Sequence, residues 1–211
     1  MTLDRFLVYF GYILLLINLI CYLKVYSKKS FSFKLFTFYL AVTFIIQITT
    51  TTLRKLGINN VFLSHYYFIS QFIILSIFFN NILKNKLQKR IIQFVFLTVL
   101  LTLTIYYFKY PSNYFRFNVL EIVITSFPLI IYSFFFFTQK VEGNNKKYIF
   151  IISGFFIFIL CSTLLFTTGN ITSSIKKIIW HSNATLYIVF QVLIFVEWYK
   201  NFRKPTTSRI K

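Results

Sequence analysis

Chemistry in this chain would have to come from the few polar side chains set inside long apolar runs. The stretch Phe62–Leu83, FLSHYYFISQFIILSIFFNNIL, carries Ser64, His65, Tyr67 and Gln71. Gln47, followed by Thr49–Thr52, closes an earlier run; Glu121 opens a later one, and His181 and Asn183 open the last. An ionisable group in hydrocarbon is costly unless paired or hydrated, so it is a functional candidate by default. A carboxylate beside an imidazole makes a pH-sensitive pair. Glu121 as partner of His65 or His181 is one reading. An interfacial carboxylate paired with Arg116 or a nearby lysine is the other.

Spacing arranges these groups into stripes. Ser64, Tyr67 and Gln71 stand at i, i+3 and i+7 and share one helical face. His65 projects about 100° away from Ser64. Asn183, Tyr187 and Gln191 repeat at i, i+4 and i+8. Such stripes face protein or water, because unsatisfied amides in lipid are expensive. They serve either helix–helix hydrogen bonds, worth about 0.6–2 kcal/mol each, or a ligand. Spacing alone leaves both readings open. The candidate ligand-binding set is His65, Tyr67, Gln71, Gln47, Glu121, His181 and Asn183.

Signatures of catalysis are missing. Two histidines and Glu121 could hold a metal on paper, but there is no HExxH, histidine-rich set or aspartate pair. No GxSxG nucleophile turn, Walker loop or dinucleotide glycine pattern occurs. The last apolar run has no mid-membrane lysine for a retinal Schiff base. No catalytic residue, metal or cofactor is expected. Paired Gly/Pro-broken helices, which mark many transporters, are also missing.

The elements that must position these residues are spanning helices. The chain has 211 residues, 57% hydrophobic and 13% charged, against about 25% charged in soluble domains. Thirty Phe and fifteen Tyr against five Gly exclude a disordered or fibrous class. Seven apolar runs are long enough to cross a bilayer: 5–26, 33–53, 62–83, 91–108, 117–138, 148–168 and 178–199. They are too long and too uniformly apolar for barrel strands. The expected fold is an all-α polytopic bundle of seven transmembrane helices forming a single domain over 1–211. Pro128 should kink the fifth helix. Trp180, Trp198, Tyr106 and Tyr107 fit interfacial aromatic belts. Glu197 and Lys200 suit a surface i, i+3 pair.

Orientation follows from lysine and arginine. One side holds Lys24, Lys28, Lys29 and Lys34; Lys84, Lys86, Lys89 and Arg90; Lys140, Lys146 and Lys147; and a tail with Lys200, Arg203, Lys204, Arg209 and Lys211. The other holds only Arg5, Arg54, Lys55, Lys109, Arg116, Lys176 and Lys177. The amino terminus is therefore expected outside and the carboxyl terminus in the cytoplasm. The first run reads as a retained helix: it is too long for a signal peptide, and no small-residue cleavage site follows. The net charge of +19 sits at helix ends, where it serves topology and anionic lipid, and no soluble basic module exists for nucleic acid. Cys21 and Cys161 are expected at different depths, too far apart for a disulfide. The Ile, Phe, Lys and Asn bias is associated with AT-rich bacterial genomes.

His65-Tyr66 with Gln71-Phe72, and Trp180-His181-Ser182 with Tyr187, resemble a group of uncharacterised small bacterial seven-helix membrane proteins. Where Gln71 stands here that group often has an acid, which weakens a proton-linked role at this position. The resemblance implies a sensory role, since some of that group associate with sensor kinases.

With the expected orientation, Gln47, His65, Tyr67, Gln71, Glu121, His181 and Asn183 fall in the outer half, while the inner half has little beyond Asn18 and Gln191. This predicts a polar cavity opening outward, closed below by Phe and Leu. The favoured function is a receptor-like or sensory module in the bacterial inner membrane. It would bind a small molecule and act through a separate cytoplasmic or membrane protein partner. The alternatives are an accessory subunit of a larger membrane complex and a small transporter or membrane enzyme. A continuous polar path joining Gln191 and Asn18 to the outer set would mark the last.

Overall fold

The computed structural model describes residues 3–141, 147–168 and 173–203. It is all-helical there, with no strand. The helices are α1 (Leu3–Lys24), α2 (Phe31–Lys55), α3 (Phe62–Ile82), α4 (Lys86–Lys109), α5 (Val119–Val141), α6 (Ile149–Thr168) and α7 (Ser173–Glu197). All seven are long and apolar enough to cross a membrane, which implies a lipid bilayer around them. Among the basic residues used for orientation, Lys146, Lys204, Arg209 and Lys211 lie outside the described residues, as do the side chains of Arg5, Lys140, Lys176 and Lys177.

Local chemistry sets the helix ends. At the end of α2, Gly57 takes φ 72°, a left-handed conformation that costs glycine little. Its N–H donates to the Arg54 carbonyl at 3.2 Å and the next N–H, of Ile58, donates to Leu53 at 3.0 Å. This is a Schellman stop. Asn85 caps α4 by accepting from the Leu87 N–H at 2.8 Å. As a result α4 begins at Lys86, earlier than residue 91, where its apolar run starts. Its first turn is polar, so hydropathy does not register it. The Tyr110–Asn113 turn is a 3-10 turn over Pro111–Phe115. Pro128 lies inside α5, which continues to Val141.

Packing contacts close six of the helices into a ring in the order α1, α2, α3, α5, α6, α7 and back to α1. The remaining helix, α4, packs outside the ring against α3 and α5. Its fully buried residues form one narrow stripe, Ile92, Val99 and Leu103, flanked by partly buried Val95, Phe96, Leu100 and Tyr107. Because the chain alternates direction, one end of the bundle gathers the starts of α1, α3, α5 and α7 with the ends of α2, α4 and α6.

The opposite end is filled with rings. Tyr22 stacks on Phe33 at 4.9 Å, Phe33 meets Phe202 at 4.8 Å, and Tyr148 meets both Phe78 and Phe202 at 5.3 Å. Phe202 reaches this cluster because α7 ends in a π-helical turn, Trp198–Phe202. Glu197 does not form the expected surface pair with Lys200. It is fully buried and accepts from the N–H of Tyr148 at 2.6 Å, the N–H of Phe150 at 3.0 Å and the amide of Asn201 at 2.7 Å. The start of α6 has free N–H groups and a positive dipole end, which draw a carboxylate more strongly than an exposed ammonium does. Lys200 instead lies over the Phe150 ring at 4.7 Å. Cys21 and Cys161 are free thiols.

Candidate functional site

The bundle end that gathers the starts of α1, α3, α5 and α7 encloses a cavity of about 620 Å³. All six ring helices line it; α4 does not. Phe68, Phe158, Ile159, Phe166 and Ile179 supply apolar wall. On α3 the lining runs from Leu63 to Gln71, about 12 Å along the axis at ~1.5 Å per residue.

Polar groups line it from mouth to floor. Ser64, Tyr67 and Gln71 face the cavity from α3, as Asn183 and Tyr187 do from α7 and Gln47 from α2. They are also tied across helices. The Gln71 amide donates to the Tyr39 hydroxyl at 3.0 Å and weakly to Tyr67 at 3.4 Å. Tyr187 donates to Gln47 Oε1 at 3.3 Å, and Ser162 donates to Asn183 Oδ1. Helix bonding and cavity lining are therefore carried by the same side chains. Arg54 and Trp180 stand at the open end, and no carboxylate lines the cavity among the described residues. Gly11 lets α1 approach this wall: a Cβ there would sit 3.1 Å from the Tyr187 ring.

Below the polar floor, Asn18 donates to the Gln191 carbonyl and to Gln191 Oε1, both at 2.9 Å. The two side chains are almost fully buried and lie outside the cavity lining. Beneath them are Tyr22, Phe33, Phe36 and Phe78. Rings thus close the floor, Tyr22 among the expected Phe residues.

His65, Glu121 and His181 do not line the cavity. His181 is half-buried on α7. His65 and Glu121 meet behind the cavity wall, on the α4 side of the α3–α5 seam. His65 Nδ1 lies 2.8 Å from Glu121 Oε2, with the two side chains 2% and 0% exposed. This excludes the interfacial pairing of Glu121 with Arg116, which stands at an exposed position. The 100° step between Ser64 and His65 is why one faces the cavity and the other faces away.

Tyr107, a residue expected in an interfacial aromatic belt, completes the cluster. Its hydroxyl donates to Glu121 Oε2, lies 2.9 Å from His65 Nδ1 and accepts from the Asn118 amide at 3.2 Å. The Tyr114 ring stacks on the imidazole at 5.4 Å, and the Tyr107 ring meets it edge-on at 5.3 Å. A signal for Tyr107 did exist. It follows Val99 and Leu103 at four-residue steps, on the single stripe that α4 buries.

No protein-family model, curated protein or solved structure matches the chain.

Proposed function

We propose that the chain is a receptor-like or sensory module of a bacterial inner membrane. In this reading the amino terminus and the cavity face outward, the carboxyl terminus faces the cytoplasm, and residues 1–211 act as one membrane domain. A bound small molecule would shift the ring helices, and a separate membrane or cytoplasmic protein would read that shift at the basic face.

The observation that carries this reading is the 620 Å³ cavity. Its size lies within the ~300–1,000 Å³ of small-molecule sites, and its lining has the usual make-up of apolar walls with a few placed polar groups. Arg54 at the open end and the lack of lining carboxylates among the described residues suit a neutral or anionic amphiphile. The aromatic plug and the separate Asn18–Gln191 pair leave no polar path through the described bundle, which weighs against transport.

Decanol and decanoate test the reading in detergent-purified protein. Either should raise the melting temperature of the wild type, and Ala184→Trp, which fills the cavity, should remove that rise. An equal shift in both proteins, or none in either, would count against the cavity as a binding site. Reporter fusions at the loop around Gly57 and at residue 203 check the orientation: the first should report outside, the second inside.

A further inference from the structure

Cavity binding leaves the cluster behind its wall without a role. We infer that His65, Glu121 and Tyr107 form a proton-binding site within the membrane, in which Glu121 takes up a proton in acid.

Charge balance comes first. In a low-dielectric site the cheap states are the ones with no net charge. His65 and Glu121 meet this condition with one proton held between them, as imidazolium–carboxylate or as imidazole–carboxylic acid. Two donors, His65 Nδ1 and the Tyr107 hydroxyl, converge on a single oxygen, Oε2. The other oxygen, Oε1, is buried with no hydrogen-bond partner among the described residues, and so is His65 Nε2. Glu121 Oε1 is therefore a basic position left open at the centre of the cluster. A proton delivered there by hydronium forms one O–H bond on Glu121, breaks one on the donor, which leaves as water, and raises the charge of the site from zero to plus one.

The surroundings can carry that charge. The Tyr114 face and the Tyr107 edge flank the imidazole, and an aromatic face attracts a cation. Tyr107 comes from α4, Tyr114 from the 3-10 turn and Glu121 from α5. From α3 itself comes Tyr66, whose ring lies 6.2 Å from that of Tyr114. Burial, then the Tyr66 hydroxyl, pushes the Tyr114 phenol up to about 12, so it stays neutral in acid and adds no charge to the cluster. Lys109 and Arg116, the cations nearest in sequence, stand at exposed positions. Protonating Glu121 makes the Tyr107 bond a neutral one of about half the strength and leaves the His65 bond with charge on the donor alone. It thereby loosens the tie of α4 and α3 to α5.

Infrared difference spectroscopy on the full chain in lipid nanodiscs reads the site directly. The chain has four acidic side chains, so carboxyl bands are few. On acidification from about pH 8 to about pH 4, a carboxylic-acid C=O band should appear. Glu121→Gln should remove it, and Glu197→Gln should leave it in place. Tyr107→Phe keeps both ionisable groups, so it serves if Glu121→Gln fails to fold. It should move the band to higher frequency, because the acid loses a donor. A band that never appears, that survives Glu121→Gln, or that is unmoved by Tyr107→Phe would overturn the inference.

Discussion

At the scale of single residues, Glu197 shows how a buried carboxylate supports a strained neighbour. Tyr148 adopts φ 68°, the left-handed region, which costs a non-glycine residue about 1–2 kcal/mol. Its N–H donates to Glu197 Oε1, while Glu197 Oε2 accepts from Phe150. Each such bond to a charged acceptor is worth about 1.5–3 kcal/mol. Glu197→Ala should therefore destabilise the protein by about 3 kcal/mol, and Glu197→Gln by clearly less, in denaturation of the detergent-solubilised protein. A loss of only a few tenths of a kcal/mol, as expected of an exposed pair, would refute the capping role. Glu121 differs in kind. It bonds to side chains that can themselves exchange protons, whereas Glu197 receives two backbone donors that cannot.

At the scale of elements, α6 and α7 meet through a glycine. A Cβ built on Gly154 would lie 2.8 Å from Leu193 Cδ1, 3.1 Å from Leu193 Cβ and 3.1 Å from the Phe190 ring. Without a hydrophobic drive between helices in lipid, close backbone approach supplies much of the packing energy. The Leu193 terminus can rotate away, but its Cβ and the Phe190 ring are held. Gly154→Ala should lower stability modestly. Gly154→Leu should cost about 1–3 kcal/mol by overpacking, visible as a lower melting temperature. No change in Gly154→Leu would mean that the two helices do not approach this closely. The other exceptional element is α4, which lies outside the ring and adds Tyr107 to the buried cluster. A helix with so narrow a buried stripe depends on its polar ties more than one buried on several sides.

At the scale of the whole molecule, α3 and α5 each present one face to the cavity and another to the proton site. Ser64 and Ile122 line the cavity, and their sequence neighbours His65 and Glu121 pair behind it. If both sites work as inferred, they are thermodynamically linked, and linkage is reciprocal. Decanol carries no titrating charge, so any pH effect on its binding belongs to the protein. Its affinity should change by about fivefold, the low end of ordinary coupling, between neutral and acid pH in the wild type. It should be unchanged across that range in Glu121→Gln. The same pH response in both proteins would break the link while leaving each site to its own test.

Composition and apolar run length by themselves determined seven helices suited to a bilayer, because the cost of exposing backbone to hydrocarbon leaves a long apolar run no other structure. Helical periodicity also placed Ser64, Tyr67 and Gln71 on one face and turned His65 away from it. The start of α4 lies outside what hydropathy registers, since a cap and a polar first turn act beyond the apolar window. Tertiary structure alone decided which polar groups meet. Glu121 could have paired with either histidine or with a surface cation, and nothing local distinguishes these. The choice follows from the ring order, which sets α5 beside α3 and leaves α4 outside to bring in Tyr107. It likewise turned Glu197 inward, onto backbone that lies some fifty residues earlier in the chain.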